Sequence, residues 1–583
     1  MTENEPKLNK KVYTALTVGP IYKTLQNVKS TKAIWGASYM FSYIIKQIVN
    51  NIKGVDFLMP YIDNIVVEGK SINPFTVQSG TGLFPDRIIF TGDYDYRSLV
   101  RLCELEVKDF ANKMWKNLDK ESSKKLLISD NQEAKKNEIG IYNESNKDEL
   151  ESYFTQYLNL YTLQIEIEEK DVYNDNENPI IQVNNLLDSL ELQQKVIQEE
   201  KKDYLYDFFE NVYYNFLVDL ELKKQNKTKF PSTIEIATAE FIEKKDYNNF
   251  LKILKSDDDE SQQKFVEAIR ENFPDKFRNC QKYIAIVQAD GDNMGHFIKY
   301  IYGLKDGESL FKHFSKQLLT FAYSAVELVK SYGGTTIYAG GDDLLYFCPI
   351  AITNNEPDSR IQKNVFSLIK QIDECFENTI LLDEKLKPHI DSSNLIKKPS
   401  MSYGISISYY KFPLNQALEE GVNQLFSVAK KTDNKNAVSY SVLKHSGQKF
   451  GTTYCKSEVS YENFEKLITS QIDGDNFIHS IAYKMKDQQA TIGSIGDEPD
   501  NIKRSQLFNN FFKNNFNEPV HLKKDGELVD FLIEVKELFK NIYNENPVFK
   551  LVGDKKEIEH QKNLKKIYSS LRFIDFIINK NEY

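Results

Sequence analysis

The sequence predicts an α+β chain in which helices back mixed sheets, and three observations in its second half predict it. "KYIAIVQAD" (282–290) is a β-rich apolar run that leads into an acidic, glycine-containing turn, "GDNMG" (291–295). "SLFKHFSKQLLTFAYSAVELVKSYGG" (309–334) carries apolar residues at helical spacing and stops at a Gly-Gly pair, a signal for a helix C-terminus. "TTIYAGGDDLLYFCPI" (335–350) is two short apolar runs around Gly340 and Gly341, a hairpin by the usual turn rules. Farther on, "SMSYGISISYY" (400–410) alternates like a strand, and "LNQALEEGVNQLFSVAKKT" (414–432) has the pattern of an amphipathic helix. Strand, helix, hairpin, helix, strand is the order of a palm-type, ferredoxin-like domain, the sheet used by polymerases and nucleotide cyclases.

In that order two acidic turns come together. Asp290 closes the first strand, and Asp342 and Asp343 sit on the turn of the hairpin expected to pair beside it. Adjacent carboxylates repel each other and shed hydration unwillingly, so such a cluster normally has a counter-ion. Carboxylates from two neighbouring strands can hold divalent ions about 3.5 to 4 Å apart, one activating an attacking hydroxyl and one steadying a leaving group. Asp290, Asp342 and Asp343 are therefore the candidate catalytic and metal-ligating residues, with magnesium or manganese suited to their hard oxygens. Gly291, Gly340 and Gly341 let backbone approach a nucleotide closely. Either turn alone reads equally well as a hydrophilic turn; their matching places in one βαββ unit point to chemistry. Ser402 and Gly404, on the neighbouring strand, flank the nucleotide or serve only the strand. Asp292 reads as a cap of the following helix ahead of a metal contact. His296, one turn on, reads as a surface residue, because hard cation sites prefer oxygen.

Size and composition bound the rest. A chain of 583 residues is too long for one core. An apolar fraction of 41% with 13% aromatics is that of a globular protein, and no segment has the run of apolar residues a membrane span needs. "MTENEPKLNKK" has no apolar region behind its charges, which argues against secretion. The five cysteines (Cys103, Cys280, Cys348, Cys375, Cys455) form no C-x-x-C pair, which disfavours an ordinary structural zinc site and fits a reducing cytoplasm. A net charge of -10 disfavours a stand-alone nucleic-acid binder, so any RNA contact is expected to be local or shared with partner subunits.

A weak internal repeat runs through the chain. "YTALTVGP" (13–20) and "YIAIVQAD" (283–290) each read as a strand running into a turn and helix, with Pro20 where the second copy has Asp290. One copy is then catalytic and the other its architectural partner.

"ADGDNMG", "YAGGDDLLYF" and the segment from "SMSYGISISYY" through "SVAKKTDNKNAVSYSVLKHSG" together resemble the catalytic palm of the large polymerase/cyclase subunit of type III CRISPR effector complexes, in its Cmr (III-B) form. "LTVGPIYKTLQNVKSTKAIWGASYMFSYIIKQI" (16–48) and "TGLFPDRIIF" (81–90) are similar to that family's first palm, the latter to its F-P-N-R-F stretch. The resemblance covers about 1–120 and 280–450. It implies two palms, a degenerate one over 1–225 with a polar insertion near 128–149 and a catalytic one over 279–450. A small helical linker (226–278) lies between them, and a C-terminal helical domain (451–583) follows. It implies that Lys430 reaches the nucleotide triphosphate, where the bare reading is a solvated lysine at a helix end.

The implied activity is nucleotidyl transfer on ATP when the complex binds target RNA, giving a cyclic oligoadenylate or ATP joined to S-adenosylmethionine. The implied partners are the other Cmr subunits, including a small helical subunit and a guide-end subunit, with guide and target RNA. No histidine is followed by aspartate, so the HD nuclease many members carry is not expected, nor is a four-cysteine zinc site between the palms. The charged segment 184–224 is expected to be helical. "IYSSLRFIDFII" sets Ile567, Leu571, Ile574 and Ile578 on one face, either a bundle helix or a docking surface for the small subunit. The alternatives to this function are a stand-alone GGDEF-like cyclase and a non-catalytic scaffold.

Overall fold

The structure, a computed structural model, describes residues 9–26, 29–76, 81–128, 145–174, 177–193, 230–241, 253–254, 259–353, 361–392, 394–395, 397–470, 475–516 and 526–578. The polar stretch 128–149 and the segment 184–224 therefore lie largely outside the described residues.

Two sheets organise the chain. The first uses β1 (Lys10–Gly19), β2 (Asp56–Met59), β5 (Arg87–Thr91) and β6 (Asn159–Glu168) in the order β2-β5-β1-β6, antiparallel throughout. Between them β3 (Ile65–Val67) and β4 (Lys70–Ile72) pair as a separate ribbon. β1 is central, and a run of six residues within it is buried, as a strand covered on both faces must be. The helix Thr31–Asn51 follows with Trp35, Met40, Phe41 and Ile44 buried, its first turn held by Ser30, whose side chain accepts from the Ala33 amide.

The second sheet has six strands in the order β14-β13-β12-β7-β9-β8. These are β7 (Tyr283–Asp292), β8 (Thr335–Gly340), β9 (Asp343–Pro349), β12 (Ser400–Tyr409), β13 (Ala437–Leu443) and β14 (Lys449–Cys455), with β10 (Ala351–Thr353) and β11 (Ile361–Asn364) forming a small ribbon beside them. Only β12 and β13 run parallel. The helix Gly307–Ser331 covers this sheet with an apolar stripe of Phe311, Phe314, Leu318, Ala322, Ala325 and Val329. The strand–helix–hairpin order expected for 282–350 is the order found. The sheet continues to Cys455, so a boundary at 450 falls inside β14.

The two sheets meet along the hairpin. The Ala339 amide donates to the Gly82 carbonyl at 3.1 Å, Gly82 bridges Tyr338, and the Ser38 hydroxyl donates to the Ile337 carbonyl at 2.9 Å. At the other end of the junction Lys11 pairs with Glu308 at 2.6 Å, and the buried hydroxyls of Tyr13 and Tyr302 lie 3.1 Å apart.

Six helices from Val459 to Ile578 complete the described chain. In the last, Asp554–Ile578, the face carrying Ile567, Leu571, Ile574 and Ile578 is buried within the chain itself. Tyr440 of β13 donates to the Ser569 carbonyl at 3.0 Å, and the Tyr454 hydroxyl of β14 lies against that of Ser570 at 2.5 Å. That face closes the second sheet and leaves nothing for a partner, which corrects the docking reading. Among the described residues no helix is long and apolar enough to cross a membrane.

Candidate active site

The hairpin turn is two residues long, since Gly340 pairs with Asp343 and leaves Gly341 and Asp342 between them. Gly341 has φ +75°, a left-handed value at the first central position that an L side chain adopts only with strain, and nothing lies within 4 Å of where its Cβ would be. Of the three glycines expected to face a nucleotide, Gly341 has open space. The tip of Tyr338 covers Gly340, where an added Cβ would lie 1.9 Å from the phenol oxygen. The ladder slips between Thr336 and Tyr338, an irregularity of the kind that re-aims side chains beside functional sites. Gly291 lies under Asp342, and an added Cβ there would sit 2.3 Å from Oδ2 of that aspartate. Its missing side chain makes room for the carboxylate, a different service from the one expected.

β7 pairs with β9 on one side and β12 on the other, which brings Asp290 beside the turn. Asp290 makes an ion pair with Lys430, and its charge is among the causes that raise the pKa of Asp343. Asp342 is held up to about 6 by desolvation and then by the charge of Asp290, with Lys430 pulling the other way. Asp343 is pushed above the usual carboxylate range by desolvation and by repulsion from Asp342 and Asp290; since its side chain is exposed to solvent, the neighbouring charges are the firmer of these causes. Three carboxylates and one ammonium are thus gathered at the end of the sheet, with more negative charge than one lysine neutralises.

Lys430 arrives by an irregular route. The predicted helix 414–432 is regular only over Leu414–Val422, then widens to a π-type turn over Asn423–Val428 and tightens over Ala429–Lys431. Gly404 of β12 permits the close approach, since a Cβ there would meet the Gly421 carbonyl oxygen at 2.4 Å and the Leu425 amide nitrogen at 2.3 Å. Its role is packing. The Lys430 ammonium donates to the Gly291 carbonyl at 2.8 Å and stands 3.6 Å from Oδ1 of Asp292.

Asp292 is fully buried and does not cap the next helix: the cap position is Asn293, with φ +62° and no side-chain cap bond. Its Oδ2 accepts from Ser400 (3.1 Å), Ser402 (2.6 Å) and the Asn436 amide (2.9 Å), tying together the ends of β7 and β12 and the approach to β13. Its Oδ1 has no hydrogen-bond partner and faces Lys430. Ser402 is buried, gives its proton to Asp292 and accepts from the Ala437 amide at 3.2 Å, so its hydroxyl is spent inside the fold rather than turned to a nucleotide. His296 is exposed.

One acidic residue near the site was absent from the sequence reading. Asp86, from "LFPDR" of the first sheet's region, is half-buried, and its charge is felt by Asp342, Asp343 and Tyr338. Desolvation raises its pKa, and the neighbouring Arg87 opposes the rise. Arg87 itself is engaged by Asp188 and Glu191. A signal was present: Asp86 directly precedes β5, the neighbour of β1, as Asp342 directly precedes β9, the neighbour of β7.

Among the described residues no three acidic, histidine or cysteine side chains converge as a finished metal cage. The donor chemistry nevertheless fits a hard divalent cation. Asp290, Asp342 and Asp343 offer only carboxylate oxygens, and the pKa values of the hairpin pair, raised first by desolvation and then by repulsion between the aspartates, favour a bound cation that offsets both.

Comparison with known proteins gives a consistent answer. The model of the Cas10/Cmr2 second palm domain matches residues 283–439. The CRISPR system Cmr subunit Cmr2 of Pyrococcus furiosus is 26% identical over 246 residues, which cover 38% of this chain and 25% of the relative, so the chain matches a quarter of that protein's length. A type III-B Cmr-beta cryo-EM structure in the apo state superposes with a TM-score of 0.56 at 12% identity, covering 87% of this chain and 78% of the other. The same assembly bound to cognate target RNA gives 0.55 at 12% identity, covering 88% and 79%. Residues 283–439, which carry the acidic hairpin and most of the second sheet, therefore match the Cas10/Cmr2 second palm domain, and over part of its length the chain is similar to Cmr2.

Proposed function

We propose that the chain is the catalytic large subunit of a type III-B CRISPR RNA-guided antiviral complex, which on binding target RNA joins nucleotides at the α-phosphate of ATP and releases pyrophosphate. The observation that carries this reading is the gathering of Asp290, Asp342, Asp343 and Lys430 at one end of the second sheet, beside an open, left-handed glycine. The Cmr-beta assemblies that share the fold suggest the partners: other Cmr subunits, guide RNA and target RNA.

Asp290, Asp342 and Asp343 would hold magnesium, or manganese, which supplies charge neutralisation at the triphosphate and lowers the pKa of an attacking ribose hydroxyl. The chain's own part is mostly positioning. Gly341 leaves room for phosphate against backbone, Gly291 seats Asp342, and Lys430 carries the mobile positive charge that can follow the triphosphate. The acceptor nucleotide lies toward the first palm, across the junction of Gly82 and Tyr338.

Two acceptors compete, a second ATP or S-adenosylmethionine. Asp86 favours the second, because a carboxylate at the acceptor side complements a sulfonium and an ammonium and repels another triphosphate. Target-activated complex is to be given ATP alone and ATP with S-adenosylmethionine, with the products resolved by mass. Oligoadenylate from ATP alone, unchanged by the added compound, removes the conjugate; product only with both removes the oligoadenylate. No nucleotide product under either condition removes the enzyme reading and leaves the scaffold.

A further inference from the structure

We infer that Lys430 is an internal counter-ion that stands in for the metal when no nucleotide is bound and competes with it for Asp290. The inference rests on the reading of this site as a metal-dependent nucleotidyl transferase, and it concerns that site's regulation. Three observations carry it. The ammonium is paired with Asp290, the acid of β7 expected to bind metal, and not with solvent or a remote partner. The Lys430 side chain is 14% exposed and that of Asp290 20%, so the pair is screened little by water. The same ammonium also takes the Gly291 carbonyl at 2.8 Å and the orphan Oδ1 of Asp292 at 3.6 Å, so it lies among oxygens that offer it no better partner than a carboxylate.

A divalent ion and an ammonium cannot both sit against one carboxylate without strong repulsion. Metal entry therefore requires Lys430 to leave Asp290, and in the nucleotide-free protein the other carboxylate oxygen beside it is Oδ1 of Asp292, whose carboxylate is already held by Ser400, Ser402 and the Asn436 amide. A bound triphosphate supplies that destination, and four flexible methylenes supply the reach. Lys430 thereby makes metal and nucleotide bind together: metal alone is opposed, and metal with nucleotide is welcomed. By linkage, each then raises the affinity of the other by the same factor. Such a device keeps a two-metal site idle until its substrate arrives.

The test is a manganese titration of the full-length chain without nucleotide, read by the loss of the free-ion electron paramagnetic resonance signal. Lys430→Met is expected to raise nucleotide-free manganese affinity about tenfold, the usual scale of coupling between sites. Lys430→Arg keeps the charge and is expected to leave the affinity low. Adding Asp290→Asn to Lys430→Met is expected to abolish the gain. A non-hydrolysable ATP analogue is expected to tighten manganese binding in the unmodified chain more than in Lys430→Met. Equal or weaker nucleotide-free affinity in Lys430→Met overturns the inference, as does a gain that survives Asp290→Asn or a gain equally large in Lys430→Arg. None of these readings uses product formation, so failure of the complex to make a nucleotide product leaves the titration to decide on its own.

Discussion

The two sheets share an order of four antiparallel strands, β2-β5-β1-β6 in one and β8-β9-β7-β12 in the other, and differ in the charge placed at its end. β1 and β7 each run centrally, with an antiparallel partner on either side, and the same "Y-x-A" opening starts the aligned stretch. At the end of that stretch the first copy has Pro20 and the second Asp290. The strand beside the centre begins after a single acid in the first copy, Asp86, and around two in the second, Asp342 and Asp343. In the first copy the arginine that follows, Arg87, is drawn away to Asp188 and Glu191 on the helix Pro179–Glu191. In the second, a lysine 139 residues beyond Gly291 is drawn in. The difference shows how one scaffold serves two purposes. The backbone needs only buried apolar strands, while the chemistry needs a surplus of carboxylates that those strands do nothing to neutralise.

The comparison breaks most sharply at the hairpin. Asp342→Asn with Asp343→Asn is expected to lower nucleotide synthesis by about 10³-fold or more while the complex still assembles and binds RNA, followed with labelled ATP and magnesium. Unimpaired synthesis in that variant would show that the surplus of acid is ornamental. A second strike falls on packing behind Lys430 in the second sheet. Gly404→Ala sets a methyl against the backbone of Gly421 and Leu425, and a loss of about 1–3 kcal/mol in denaturant unfolding is expected, together with weaker ATP binding as Lys430 shifts.

A smaller effect belongs to the first sheet. Asp86→Asn is expected to raise the KM for the acceptor about tenfold with little change in kcat once saturated, the mark of a binding contact made equally in ground and transition states. An equal fall in kcat and kcat/KM would instead put Asp86 among the reacting groups and erase the division of labour between the copies.

The smallest effect lies in the short segment between the two sheets, at Glu240. Its carboxylate accepts from the Thr353 amide and hydroxyl, and desolvation holds it up at about 7 in spite of those bonds. A carboxyl raised on folding binds more protons in the native state than in the unfolded chain. Its stabilising contribution is therefore complete below the ordinary glutamate range and fades as pH climbs from there through about 7. Glu240→Gln is expected to flatten that part of the stability–pH curve, measured by thermal melting between pH 4 and 8; an unchanged slope would place the titration elsewhere.

Much of this was legible along the chain because the signals are local. The apolar run to Asp290, the helix that stops at Gly333 and Gly334, and the two-residue turn are each written in a few consecutive residues, and their order alone puts Asp290 beside the hairpin. The readings that shifted concern side chains whose partners are remote. Asp292 looks like a cap because it stands one residue before the cap position; only the pairing of β7 with β12 turns it toward Ser400 and Ser402, more than 100 residues on. Ser402 alternates correctly for a strand, but alternation does not say which face lies inward. Ile567, Leu571, Ile574 and Ile578 form an apolar stripe in either reading; β13 and β14 decided that it is covered.

The sequence by itself therefore determined the α+β class, the acidic hairpin beside an acid-bearing strand, and the existence of a second, altered copy of the motif, because periodicity and turn chemistry act over a few residues. Only the tertiary structure decided that Lys430 neutralises Asp290, that Gly291 and Gly404 are seats for Asp342 and for the π-type turn, and that Asp86 looks across the junction at the hairpin. Those are contacts between residues brought together by folding, and Coulomb and packing energies depend on distances through space that no spacing along the chain specifies.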